Sequence, residues 1–374
     1  MTQVIGFDVT PLTLAQFTGV SHFTQQALAA LVARHDDRAY VPLAHRAVNG
    51  SLPSGTRPPI GQPYQRRWWW MQTIAPRLLA ELRPDFAHFT NSIAPLTCPV
   101  PVVLTIHDMS LFLQARTQPL RSLLTVRPIV PLAARRAAAI MTLSHYTRQD
   151  MIRRLKIDPA KIHVIYGAPS AHFKPITDSG ELDRVRRQYG LPDRWVLYVG
   201  TLEPRKNIPR LLRAFAQVRC AHPEVRLVMA GQLGWKHRAI WREIESLGLA
   251  DAVHWLGYVP DADLPALYSL ATVFAFPSLY EGFGLPVIEA MACGTPVLTS
   301  QDTALAKVAG EAALLIDPLE VEAIAAGLMR LLNDSELRAE LQGHGLCRAA
   351  EFSWERAAAE TVKVYEQLAM NNEQ

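Results

Sequence analysis

The stretch from Ala271 to Ser300 constrains the fold more than any other part of the chain. An apolar run, Ala271 to Phe276, reads as a buried strand that Pro277 and Ser278 terminate. A glycine-bearing turn follows, Glu281-Gly-Phe-Gly284, and Pro286 then opens a helix at a position where its missing N–H costs little. Thr295-Pro-Val-Leu-Thr-Ser300 reads as the next strand. Strand, helix and strand in this order imply a parallel α/β sheet, whose ligands bind beyond the carboxyl ends of the strands. Two carboxylates, Glu281 and Glu289, bracket that turn and helix start. Exposed N–H groups there favour anions, and carboxylates are strong acceptors for sugar and ribose hydroxyls. The plainer alternative is one helix-capping acid and one solvated acid.

Three other segments repeat the strand-to-loop pattern with chemistry at the strand end. Trp195-Val-Leu-Tyr-Val-Gly200 is followed by Thr201-Leu-Glu-Pro-Arg-Lys-Asn207 and a helically spaced run from Ile208 to Val218. Strand, Gly200, a loop carrying Arg205 and Lys206, and a helix start together describe a phosphate site. Exposed salt-bridging residues are the alternative. Pro101-Val-Val-Leu-Thr-Ile-His-Asp108 ends a buried strand in a polar pair, where His107 can donate to an anion or orient a hydroxyl. A satisfied core histidine is the competing explanation. Near the N-terminus, Val4 to Asp8 reads as a strand. Thr18 to Thr24 reads as a loop feeding a helix over Gln25 to Leu31, with Gly19 able to admit a ligand to the helix end.

These motifs resemble the retaining glycosyltransferases of the GT-B type, and within them the group called family 4. The family's E-x7-E pattern matches Glu281 and Glu289. The resemblance implies an α/β fold of two facing Rossmann-like domains, with the active site in the cleft between them. It implies that Glu281 contacts the donor hexose and Glu289 the nucleotide ribose. Arg205 and Lys206 would bind the donor diphosphate, and His107 would lie beside the reacting sugar. Gly19, Val20, Gly200, Gly284 and Leu285 would border the donor, and Tyr258 and Val259 would hold the base through backbone groups. Asp108 would hold its loop, and Ser144, before an arginine-rich helix, would serve the acceptor side or the structure. Departures exist: Ser21 replaces the family's second glycine, Thr201 stands where one variant has arginine, and Leu305-Ala-Lys307 replaces a Leu-Pro-Glu triplet.

Length and composition fit this reading. At 374 residues, 49% apolar and 19% charged, the chain describes a soluble globular protein with room for two cores. The expected division is residues 1–173, 174–350, and a C-terminal helical segment, 351–374, returning to the first domain. No apolar run reaches the ~18–20 residues that span a bilayer, and the N-terminus reads as a strand, not a signal peptide. The four scattered cysteines read as reduced, mostly buried thiols in a cytoplasmic enzyme. Asp261-Ala-Asp263 looks like a metal-binding D-x-D, but its place before Leu264 to Leu270 favours helix capping. No metal or other cofactor is expected.

Charge is uneven. Residues 1–175 hold 19 Lys/Arg against 8 Asp/Glu, and the rest holds 19 against 26. The basic segments Gln65 to Met71, with three tryptophans, and Leu120 to Arg136 suggest peripheral contact with an anionic membrane, on the inner face of the cytoplasmic membrane. The alternative buries the tryptophans and leaves the arginines merely solvated. No nucleic-acid-binding signature accompanies them. The expected activity is transfer of a hexose, with mannose from GDP-mannose preferred over UDP-hexoses, to a hydroxyl of a glycan or lipid-linked acceptor. A sugar-nucleotide epimerase and a non-catalytic, membrane-docked assembly partner are the alternatives.

Overall fold

The computed structural model describes residues 2–61 and 66–372, with backbone only for 371–372. Gln65 of the tryptophan segment and residues 373–374 of the C-terminal segment lie outside this description. The chain divides into two compact units, residues 1–167 with 353–374, and residues 168–352.

The first unit holds six parallel strands: β1 (Gln3–Asp8), β2 (Arg38–Leu43), β3 (Phe86–Phe89), β4 (Val102–Ile106), β5 (Ala139–Thr142) and β6 (Ile162–Val164). Their order is β2-β1-β3-β4-β5-β6. Every residue of β3, β4 and β5 is buried, as befits strands covered on both faces. The helix Trp354–Asn372 belongs to this unit, although the rest of its sequence neighbourhood does not. Trp354 meets Phe23 edge-on at 5.4 Å, and Tyr365 bonds the buried His88 through Nδ1 at 2.6 Å. Thr105 takes the other ring nitrogen of His88 at 2.8 Å. Ser353 caps this helix by accepting from the Arg356 N–H at 3.1 Å.

The second unit holds β7 (Trp195–Val199), β8 (Arg226–Ala230), β9 (Val253–Gly257), β10 (Val273–Phe276), β11 (Val297–Ser300) and β12 (Leu314–Ile316). Their order is β12-β11-β10-β7-β8-β9, again parallel throughout. This is a doubly wound sheet whose direction of growth reverses between β7 and β10. The apolar runs read as strands supply β7, β10 and β11, because a strand buried on both faces needs no alternation.

Three local expectations are corrected. The segment Thr18 to Thr24 is not a loop, since the helix already starts at Gly19 and runs to Val32. Its early polar residues bond locally, Ser21 to the Pro11 carbonyl at 2.9 Å and Thr24 to that of Val20 at 2.8 Å, so they do not break the helix. Asp263 stands at the start of the helix Leu264–Leu270 but makes no capping bond. Arg184, Gln188 and Tyr189 hold its carboxylate instead, at 2.6, 3.1 and 2.5 Å, while Asp261 pairs with His172 at 3.1 Å. Among the cysteines, Cys220 and Cys347 are exposed and only Cys293 is fully buried. Among the described residues, no helix is long and apolar enough to cross a membrane.

Candidate active site

The reversal of the second sheet leaves a crevice at the carboxyl ends of β7 and β10, the place where such sheets bind ligands. Two loops are stitched together there. Asn207, in the left-handed region at φ 62°, sends its side-chain amide to the carbonyls of Pro277 and Pro318 at 3.0 and 2.6 Å. The Leu279 N–H donates to the Arg205 carbonyl at 2.9 Å, and the Ser278 hydroxyl oxygen lies 3.2 Å from the same carbonyl. Residues some seventy positions apart in sequence are thereby fixed against each other.

The result is a compact charge cluster. Glu281 receives Arg205 Nη1 on Oε2 at 2.7 Å and Lys206 Nζ on Oε1 at 2.6 Å. The Ser278 hydroxyl also donates to Oε1, at 2.6 Å. Burial would push the Glu281 carboxyl up, but Arg205, Lys206 and the bond from Ser278 together bring it down to about 2. The Lys206 ammonium lies 4.7 Å from the centre of the Phe276 ring, a favourable cation–π placement. Arg205 turns its other edge, Nη2, to Glu203 at 2.8 Å. Glu203 was not foreseen from sequence; its only signal is an acid two residues before the basic pair.

Gly284 caps the helix Leu285–Ala292 at φ 100°, and a Cβ there would lie 2.2 Å from Leu305. The positive φ demands glycine, and an added Cβ would also push the Leu305 side chain aside. Leu285 begins the helix and Glu289 projects from it, accepting from the Tyr268 hydroxyl at 3.2 Å. Burial, aided by the negative Asp261, pushes the Glu289 carboxyl up to about 8. Its folded value thus exceeds its unfolded one, so the native state holds the extra proton between roughly pH 4.5 and 8. Stability from this group is fully present below that window and is lost as pH rises through it. The Tm advantage of Glu289→Gln over the wild type should therefore widen from pH 5 to pH 8; a gap independent of pH would refute this. Tyr258 and Val259 follow β9, the first 41% exposed and the second buried. Gly200 follows β7 and donates its N–H to the Ala230 carbonyl at 2.9 Å.

In the first unit, the sheet reverses between β1 and β3. His107, half-buried at the end of β4, donates Nε2–H to the Thr90 carbonyl at 2.7 Å and meets Phe23 edge-on at 4.9 Å. A carbonyl only accepts, so the neutral ring carries its proton on Nε2 and leaves Nδ1 as an acceptor. Burial pushes the His107 pKa down, partly offset by Thr90 and Asp108, which keeps that form at neutral pH. In that form Nδ1 can accept from a hydroxyl, whereas Nε2–H is already committed to Thr90. Asp108 accepts from the Ser110 N–H at 2.8 Å, and the buried Ser144 caps the helix His145–Asp150 through the Thr147 N–H at 3.1 Å. Gly19 is exposed at the first turn of its helix with open space where a Cβ would stand; Val20 is half-buried beside it. Asp8, wholly buried at the end of β1 with Arg67 at 3.7 Å, was not singled out from sequence.

The model of "Glycosyl transferases group 1" matches residues 183–345, and that of "Glycosyltransferase Family 4" matches residues 17–168. O-antigen chain mannosyltransferase B of Escherichia coli is 35% identical over 270 residues, covering 71% of this chain and 70% of that protein. The serotype-specific mannosyltransferase WbdA of Escherichia coli is 34% identical over 247 residues, covering 64% of this chain but 30% of that protein. Among solved structures, HepE of Anabaena in complex with UDP-glucose superposes with a TM-score of 0.75 at 19% identity, covering 98% of this chain and 99% of that one. Two doubly wound units, a cluster of paired charges at a sheet reversal and this likeness converge: the chain belongs to the group 1 (family 4) glycosyltransferases and is a hexosyltransferase of the GT-B class.

Proposed function

We propose that this enzyme transfers mannose from GDP-mannose, with retention at the anomeric carbon, to a hydroxyl of a glycan or lipid-linked acceptor in polysaccharide or lipopolysaccharide assembly. The observation that carries the reading is the Arg205–Lys206–Glu281 cluster at the reversal of the second sheet. Two fixed cations there can take the charge that develops on a leaving diphosphate, the electrostatic contribution that tends to dominate such steps. The incoming diphosphate competes with Glu281 for both cations and frees its carboxylate to accept sugar hydroxyls. Glu289 accepts from the ribose, and His107 Nδ1 accepts a hydroxyl of the hexose. Front-face attack, with the leaving phosphate taking the acceptor proton, requires no covalent glutamate. The preference for mannose is supported by the names of the two Escherichia coli relatives.

Acceptor delivery would use the surface of the first unit. Trp70 is fully buried, but Trp68 and Trp69 are exposed beside Arg66, and Leu120, Leu124 and Leu132 lie exposed near Arg121 and Arg136. The burial of the tryptophans is thus split between the two alternatives. Aromatic and leucine side chains among arginines suit the headgroup region of an anionic bilayer, at the inner face of the cytoplasmic membrane.

The decisive test is a thermal-shift panel of GDP, UDP, ADP and their common sugars without added metal, followed by turnover with the stabilising donor. GDP-mannose should raise Tm most, the Glu289→Ala variant should lose most of that shift, and the product anomer should match the donor by NMR. Selective stabilisation by a UDP-hexose would overturn the choice of mannose, and an inverted product would overturn retention. Sedimentation with vesicles containing anionic lipid, but not with neutral vesicles, should carry the protein down. Equal recovery from both would remove the membrane role.

A further inference from the structure

The donor site contains a second acid for which the transfer reaction has no evident use. Glu203 sits on the loop between β7 and the helix Ile208–Ala221, with its side chain 5% exposed. Its loop is held from two directions: the Leu202 N–H donates to the Gln232 carbonyl at 2.8 Å, and the Gly234 N–H to the Leu202 carbonyl at 3.1 Å. Gly234 lets the two loops pack closely, since a Cβ there would stand 2.9 Å from that carbonyl and 3.1 Å from the Glu203 Cβ. These bonds hold the loop that brings the carboxylate to Arg205 Nη2 at 2.8 Å. Arg205 is gripped on both edges, Nη1 by Glu281 and Nη2 by Glu203.

Two cations thus face two anions. Glu281 can leave its cations for sugar hydroxyls, but Glu203 has no such exchange open to it on its clamped loop. A crevice with two uncompensated cations would hold the nucleoside diphosphate product strongly and slow its release. Resting on the donor-site reading above, we propose that Glu203 is a positioning residue and charge counterweight: it orients the Arg205 guanidinium and lowers the affinity of the site for nucleoside diphosphate, so that product leaves.

The test uses GDP and UDP as probes, with calorimetric titration and steady-state kinetics on the intact chain. Glu203→Gln keeps the shape and removes the charge. It should bind whichever diphosphate the wild type binds at least roughly tenfold more tightly, since like charges a few ångströms apart repel by about that factor even in nearly water-like surroundings. Donor KM and kcat should both fall, a split that a merely structural role would not produce. Glu203→Asp retains the charge and should return the affinity toward the wild-type value. Should Glu203→Gln fail to fold, Glu203→Ala carries the same expectation. A wild type that binds diphosphate, with a neutral variant that binds it equally or more weakly, overturns the counterweight while leaving the donor site standing. A folded wild type that binds neither GDP nor UDP overturns both.

Discussion

Lys206→Ala is expected to lower kcat by about 10²–10³-fold, the usual cost of removing one preorganised group that stabilises developing negative charge. The ammonium lies deep in the crevice, with its side chain 10% exposed, so water and salt would replace it poorly. Its loss also leaves Glu281 with two of its three partners, Arg205 and Ser278. Breaking a buried pair outright costs about 3–5 kcal/mol, so with two partners retained the stability loss should be smaller, about 2 kcal/mol. Initial rates against donor concentration, alongside denaturant unfolding, separate the two effects. A variant with wild-type kcat would show that Lys206 does not meet the leaving group.

Gly231→Ala should be the most damaging single methyl addition to the second unit. The residue ends β8 at φ 140°, and a Cβ there would lie 2.1 Å from the Gly200 carbonyl oxygen and 2.6 Å from its carbon. Both are backbone atoms, so no side-chain rotation relieves the clash. Gly231 cannot retreat, because its N–H is bound to the Gly257 carbonyl at 2.7 Å and its own carbonyl to Trp255 Nε1 at 3.0 Å. The expected cost is about 4 kcal/mol, which in a unit of this size lowers Tm by roughly 8–16 °C. Displacement of Gly200 would also disturb the loop that carries Glu203, Arg205 and Lys206. Gly343→Ala is the control: it lies within the helix Ser335–Ala350 with nothing within 4 Å of an added Cβ. There the helix preference for alanine should raise stability by about 0.5–1 kcal/mol. Equal behaviour of the two variants would contradict the close approach of the two strand ends.

Much of the site was legible because its chemistry sits at strand ends that are themselves legible. Uninterrupted apolar runs at Trp195 to Val199 and Val273 to Phe276 are short enough to read as strands buried on both faces, and each is followed by a turn rich in glycine or proline. The acids, the cations and the histidine stand directly after such runs. Glu203 escaped notice because an acid before a proline normally faces water; a loop more than twenty-five residues away packs against its own, through the bridge between Leu202 and Leu233. Asp263 was misjudged in the same way. Local position suggested a cap, but Arg184, Gln188 and Tyr189 arrive from a helix more than seventy residues earlier in the chain.

The sequence by itself determined the class of fold, the alternation of strand and helix, and which residue types stand at each strand end. Those properties depend on local periodicity and on turn chemistry, which neighbours along the chain supply. Tertiary structure alone decided that β7 lies beside β10, and therefore that Arg205 and Lys206 close on Glu281 from across the crevice. It also decided that a fourth charge, Glu203, balances them. Strand order in a parallel sheet is set by how the crossover helices pack on its two faces, and a carboxylate's protonation by burial and by charges from distant segments. Neither is written in any short stretch of sequence.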